Sequence, residues 1–411
     1  MKALVRYLIF LFPVLTTAQS NLSDPEVSQI IERHRPSRSG VPEDIKGRLG
    51  ATHMNGQYYL TDEPFIIEGA RKVKELGYGV LKLWFYKDNG NQRGYKYNSD
   101  WGLTRSMTLE ELARHPYYRE VFDMDFSVFT LNIKEGLHPA SIEEQQARLK
   151  QVQAEFYSLT KYLLETYQDR EITFILSNWE GDWAMRGGTS KVSGWSKENI
   201  PDDAPIRVAN MISWVKARQA GVDQARRDSP TSKCKVYNAI EVNKVFDGVI
   251  DGMPTITTDV LPQVKVDMVS WSAYDGKSPD GVKMYRGIEY IRQHMNPTDY
   301  MKGEKVVFIG EINQHENVDG CTKESVTEFC DLIMGVYLAQ NIPYVIYWEL
   351  YSNDTKEDPK DQSRVLSAEE LRGNWLIRPD GSHGWAQQYF DSLLVKSEQM
   401  ESKPNLYNNE E

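Results

Sequence analysis

Eight short apolar runs, spaced by helical or polar stretches, limit what this chain can fold into more than any other feature. They occupy residues 48–53, 79–86, 128–133, 172–177, 235–240, 266–272, 305–311 and 344–349, the first being the weakest. Runs that are apolar on both faces read as buried strands. Strands that alternate with helices form parallel βα units. The helical signals fall where such units need them. Leu149, Val152, Phe156, Leu159 and Leu163 share one helical face after the third run, and Val326, Phe329, Ile333 and Val336 share one after the seventh. Further helices are expected at 68–76 and 207–227. Eight such units predict a (β/α)8 TIM barrel, a single domain. The rival is an open, doubly wound sheet, but no G-x-G-x-x-G follows the first run, as its dinucleotide-binding form requires. Long polar stretches at 87–117, 184–205 and 352–372 read as loops. In a barrel all three rise from the face where the C-terminal strand ends gather, and they can wall a cleft.

The first residues point to export. Lys2 and Arg6 precede an apolar stretch at 7–15, and Thr16, Thr17 and Ala18 supply small residues for cleavage. That is the pattern of a signal peptide over 1–18, with a core too short to span a bilayer. The alternative is an N-terminal anchor. The expected layout continues with an N-terminal extension over 19–44, the barrel over 45–397 and a polar tail over 398–411. The expected location is secreted or periplasmic, without membrane insertion. Of three cysteines, Cys321 and Cys330 could close a short loop and leave Cys234 free, though spacing does not fix that pairing. Three in 411 residues make no disulfide scaffold, so the core must supply the stability. A net charge of −11 argues against a nucleic-acid or anionic-membrane partner, which calls for a basic face. Neutral sugars are compatible with it.

Two of the apolar runs deliver glutamates. The fourth opens into Asn178-Trp179-Glu180-Gly181-Asp182-Trp183, and the seventh ends Ile309-Gly310-Glu311. Catalytic carboxylates of barrel enzymes sit at such C-terminal strand ends. Two carboxyls facing each other across a cleft are the equipment for cleaving a glycosidic bond. In this layout the chain resembles the clan A glycoside hydrolases, retaining (β/α)8-barrel enzymes, over most of residues 45–395. The resemblance implies Glu180 as acid/base after strand four and Glu311 as nucleophile after strand seven. It further implies that Tyr274, after strand six, hydrogen-bonds the nucleophile, and that Trp348, after strand eight, floors the sugar subsite. One departure stands out. The clan places an asparagine directly before the acid/base, whereas here Trp179 separates Asn178 from Glu180. Asn178 then reaches the sugar only through a bulge, or Trp179 contacts it instead.

A carbohydrate is thus the expected partner. Beside the two glutamates, the expected contacts to it are Asn178, Trp179, Tyr274, Trp348, Trp84, Lys82 and Trp183. Tryptophans near strand ends suit stacking on sugar rings, but they also suit ordinary packing. Lys82 lies within a strand and would point into the barrel, to bind a substrate hydroxyl or to pair with a carboxylate. Asp182 is the alternative proton donor, and Glu241 and Glu349 are alternative nucleophiles. His53 and His315 read as structural. No metal and no cofactor are expected, because H-E-x-x-H, a phosphate loop and a G-x-S-x-G elbow are all missing, and the Asp358–Asp361 stretch reads as solvated loop. A barrel that only binds glycans, and a hydrolase or lyase for another substrate, are the competing classes.

Overall fold

In the computed structural model, eight parallel strands follow one another in sequence order and close into a barrel. They are β1 (Leu49–His53), β2 (Val80–Trp84), β3 (Val128–Asn132), β4 (Thr173–Ser177), β5 (Lys235–Val242), β6 (Met268–Ser272), β7 (Val306–Ile312) and β8 (Val345–Tyr347). Leu49 pairs with Val345 where β8 meets β1, so the sheet has no free edge. The structure describes residues 22–401 apart from 88, 104–105, 135, 138–140, 230 and 358–363. The expected signal peptide, residues 402–411 of the expected tail, and the whole Asp358–Asp361 stretch lie outside the described residues.

Side-chain alternation gives the barrel two unlike halves. Outward positions such as Leu81, Phe129, Phe174, Val269 and Ile309 join the main core beneath the helices. Inward positions begin apolar, with Val80, Val128, Ile175, Ala239, Met268, Phe308 and Ile346 filling the barrel interior. Two residues further along several of these strands, on the same inward face, stand Lys82, Thr130, Glu241, Ser270 and Gly310. Lys82, Thr130, Glu241 and Ser270 are fully buried. The interior therefore turns from oily to polar on the way to the C-terminal strand ends.

The surrounding helices follow their sequence signals. Helix Ile142–Thr166 starts where the Ser141 side chain accepts the Glu144 N–H, and it packs along helix Ala204–Asp228. Gly221 allows that close approach, since a Cβ there would lie 2.4 Å from the Gln153 carbonyl oxygen. The expected loop after β2 also holds short helices. Leu109–Ala113 is one, closed by a Thr108–Glu111 capping box that is readable as T-x-x-E. Before the barrel, helix Asp24–His34 packs on helix Lys323–Ala339 and buries Val27 and Ile31. Among the described residues no helix is long and apolar enough to cross a membrane.

Candidate active site

Glu311 reaches the barrel interior through an irregularity in β7. Gly310 occupies an inward position, so in a regular strand its successor would face the helices. The register of β7 shifts against both neighbours, and Ser272 pairs with Glu311 directly after Trp271 pairs with Ile309. A shift of this kind re-aims a side chain. The Glu311 carboxylate accordingly meets Lys82 Nζ at 2.8 Å and Ser272 Oγ at 3.2 Å.

Glu180 arrives from the opposite wall, three residues past the end of β4. Its backbone is left-handed, with φ of 30°. That conformation is unfavourable for a residue with a Cβ and persists only where the surroundings impose it. Here they do. The Glu180 N–H donates to Glu241 Oε1 at 2.9 Å. Asp182 anchors the next turn by accepting the main-chain N–H groups of Asn243, Lys244 and Ile256 at 2.8, 3.0 and 2.7 Å. Ser272 Oγ lies 2.9 Å from Glu180 Oε1. One serine oxygen thus touches both carboxyl groups, and the two glutamate oxygens are at most about 6 Å apart, the sum of its two contacts.

Burial sets the protonation of the pair. It pushes Glu180 up to about 8, helped by the nearby Glu311 and Glu241 carboxylates. Glu311 rises only to about 7, because Lys82 opposes the effect of burial. The proton therefore prefers Glu180. Burial works against charge on Lys82 as well, but Glu241 and Glu311 outweigh it and hold the ammonium above its ordinary value. Lys82 Nζ sits 2.8 Å from Glu241 Oε2, 2.8 Å from Glu311 Oε1 and 3.1 Å from the Gly310 carbonyl oxygen. Those contacts occupy all three of its donors.

The other expected contacts are placed as follows. Asn178 is buried, and its Oδ1 accepts from Arg218 at 3.2 Å and from the Glu241 N–H at 3.3 Å, which turns it toward the strand wall. Arg218 itself lies between the rings of Phe156 and Trp214. Trp179 is half-buried beside the cleft glutamate. Trp183 carries the Lys244 ammonium over its ring at 4.4 Å. Trp84 stacks on Tyr86 with centroids 5.0 Å apart. Trp348, half-buried at the end of β8, donates its main-chain N–H to the Ile312 carbonyl at 2.9 Å. Tyr274 follows β6, and burial with the Glu311 and Glu180 charges nearby raises its hydroxyl well above the ordinary value. Glu349 is fully buried, and burial lifts it well above the carboxylate range. His53 is buried against the Phe65 carbonyl oxygen, and burial lowers it to about 4. His315 pairs with Asp354 at 2.6 Å. All three cysteines, Cys321 and Cys330 included, are free thiols.

Sequence reasoning overlooked Ser270, Ser272 and Asn132. The signal was present, because Ser270 and Ser272 follow Met268 on the inward face of a strand whose other residues are apolar. Asn132 ends β3 fully buried, with neither amide atom in a hydrogen bond among the described residues.

No family model matches the chain, and no curated protein does either. Solved structures do. A Bacteroidetes-affiliated family 5 cellulase, linked with a polysaccharide utilization locus, is 12% identical, with 92% of this chain and 95% of that one covered at a TM-score of 0.50. A family 5 xyloglucanase from Paenibacillus pabuli is 10% identical, with 86% and 99% covered at a TM-score of 0.50. These structural neighbours are family 5 glycoside hydrolases, and the shared feature is the fold.

Proposed function

We propose that this protein is an exported glycoside hydrolase that cleaves a bond within a poly- or oligosaccharide with retention of anomeric configuration. Glu180 is its acid/base and Glu311 its nucleophile. The observation that carries the reading is the Ser272 bridge. It holds the two carboxyl oxygens within about 6 Å, inside the roughly 6.5 Å at which inverting enzymes begin and close to the roughly 5 to 5.5 Å of retaining ones. Too little room is left for a water molecule beneath the sugar, so the carboxylate itself attacks.

Protonation supports the division of labour. The carboxyl with the higher value is suited to give a proton, and the one beside an ammonium is suited to stay ionised. Glu311 attacks the anomeric carbon while the Glu180 proton passes to the departing oxygen. Glu180, now a carboxylate, then takes a proton from the water that releases the sugar. Ser272 fits both stages. Before attack its hydroxyl donates a hydrogen bond to the Glu311 carboxylate while its oxygen accepts one from protonated Glu180; once Glu311 is an ester, the hydroxyl donates to the Glu180 carboxylate. The half-buried Trp348 and Trp179 offer apolar faces to a sugar ring.

Screening should begin with a soluble cellulose derivative and xyloglucan, because solved neighbours of this fold are a cellulase and a xyloglucanase. Glu311→Gln and Glu180→Gln should each lower kcat by three orders of magnitude or more, roughly the worth of a nucleophile or of a matched acid. An NMR time course should show the retained anomer first. Inverted product, or activity surviving in both variants, overturns the reading. Binding without turnover by the wild type would mark a glycan-binding barrel instead. Amino-terminal sequencing of the exported protein tests cleavage after Ala18.

A further inference from the structure

We propose that Glu241, on β5, is a positioning residue for both glutamates of the site, tying the main chain of Glu180 to the side chain of Glu311 through Lys82. This rests on the functional reading above.

The tie is built from both oxygens of one fully buried carboxylate. Oε1 accepts the Glu180 N–H at 2.9 Å. Oε2 accepts from Lys82 at 2.8 Å and from Ser270 Oγ at 2.7 Å. Lys82 carries the connection onward to Glu311 Oε1. Two features show that the surroundings are shaped for it. Glu180 adopts its left-handed backbone at the point where its N–H meets Glu241, so the strained residue is held by this acceptor. Gly310 leaves the space. A Cβ there would stand 2.4 Å from Glu241 Oε2 and 2.0 Å from Ser270 Oγ, and the bare carbonyl of Gly310 accepts from Lys82.

Stability gives no reason for such a cluster. Barrel interiors are ordinarily filled by branched apolar side chains. Replacing a buried ion pair by apolar residues is often neutral or stabilising, so charge placed here asks for a function. The reaction supplies one. Before attack, Lys82 divides its charge between Glu241 and Glu311. Once Glu311 becomes an ester its negative charge is gone, and Glu180 has become the carboxylate by giving its proton to the departing oxygen. Glu241 alone then faces Lys82 and keeps it fixed until Glu311 is released. The net charge of the four groups is the same before and after attack, so the buried site need not recruit an ion during turnover.

The titratable groups facing Glu241 are Lys82 from β2, Glu180 beyond β4, Tyr274 after β6 and Glu311 from β7. The Glu241 charge raises Glu180, so removing it moves the alkaline limb of activity to lower pH. The experiment compares Glu241→Gln and Ser270→Ala with wild type, Glu180→Gln and Glu311→Gln on carboxymethylcellulose and xyloglucan. Thermal melts check folding. In Glu241→Gln, kcat should fall on the order of a hundredfold, the scale of a one-ångström misplacement, with KM within about twofold. Its alkaline limb should shift to lower pH. Ser270→Ala keeps both charges, so it should lose roughly fivefold or more in kcat with the limb unmoved. If Glu241→Gln folds, keeps kcat within about twofold and leaves the limb in place, the inference is overturned. If Glu241→Gln does not fold, Ser270→Ala decides, and wild-type kcat there overturns it. Activity surviving in Glu180→Gln and Glu311→Gln would instead sink the underlying reading of the site.

Discussion

A carboxyl that must carry a proton near neutral pH has to be kept from water, and Glu180 is kept so by burial first and by neighbouring negative charge second. Two consequences can be measured. Activity should follow a bell, rising as the pair loses its first proton and falling as it loses its second, with both limbs displaced above the ordinary carboxylate range by burial. The limbs belong to the pair as a whole, because each charge raises the other group. A broad plateau from about pH 5 to about pH 9 would contradict the assignment. Stability carries the second consequence. The folded-state value of Glu180 lies above its ordinary 4.5, so the folded protein holds this proton more tightly than the unfolded chain does. That contribution is fully present below about 4.5 and is lost as pH rises through about 8. Glu180→Gln has no such proton to lose. Its melting temperature, measured from about pH 5 to about pH 9, should overtake that of the wild type at the alkaline end. Parallel curves would mean that Glu180 is not buried in the way described.

At the level of elements, the strands were legible because burial on both faces writes itself as unbroken apolar runs. The β7 glutamate and the turn after β4 were legible as strand ends. What the sequence concealed is geometry that depends on partners distant in the chain. Nothing local shows that β7 slips its register after Gly310, although the slip is what turns Glu311 inward. Nothing local shows that Arg218, on a helix 40 residues later, draws Asn178 to the wall. Lys82 could be placed inside the barrel from alternation alone, but its two carboxylate partners come from β5 and β7. Asp182 is a similar case, since its spacing from Glu180 suggested a proton donor while its carboxylate serves as a staple. It joins the β4 turn to the end of β5 and to the segment at Ile256. Asp182→Ala leaves three main-chain N–H groups without their acceptor, and it should destabilise the protein by about 3–5 kcal/mol. A fall in kcat should accompany it, because the strained Glu180 backbone is anchored through this turn. Urea unfolding checks the first effect, and kcat at a temperature where the variant is still folded checks the second. A stable Asp182→Ala with full activity would show that Glu241 alone holds the turn.

At the scale of the whole molecule, a barrel closed in chain order brings the first and last strands together, and the two ends of the described chain meet outside it. Asp331, buried on helix Lys323–Ala339, is where they join. Its carboxylate accepts from Arg35 Nε at 2.7 Å, from the Ser37 N–H at 3.0 Å and hydroxyl at 2.5 Å, and from the Tyr389 hydroxyl at 3.0 Å. Arg35 and Ser37 follow the N-terminal helix Asp24–His34, and Tyr389 lies on the C-terminal helix Trp385–Glu401. One carboxylate therefore fastens both chain ends to the helix behind β7. None of these partners touches Glu180, Glu241 or Glu311, so stability and catalysis should come apart when the fastening is cut. Asp331→Ala leaves the Arg35 guanidinium short of its most buried partner, although Glu328 still meets it at 2.6 Å on the exposed side. The expected cost is about 3 kcal/mol, the low end for breaking a buried ion pair, because Glu328 retains part of the compensation. Proteolysis should then begin within residues 22–39, since that segment loses its anchor while the barrel strands keep theirs. The kcat measured well below the melting temperature should match the wild type. A variant with unchanged melting temperature and no early cleavage would mean that packing of Val27 and Ile31 alone secures the N-terminal helix. A variant that folds normally but loses kcat would mean that the chain ends communicate with the cleft by a route other than the Arg35, Ser37 and Tyr389 contacts of Asp331.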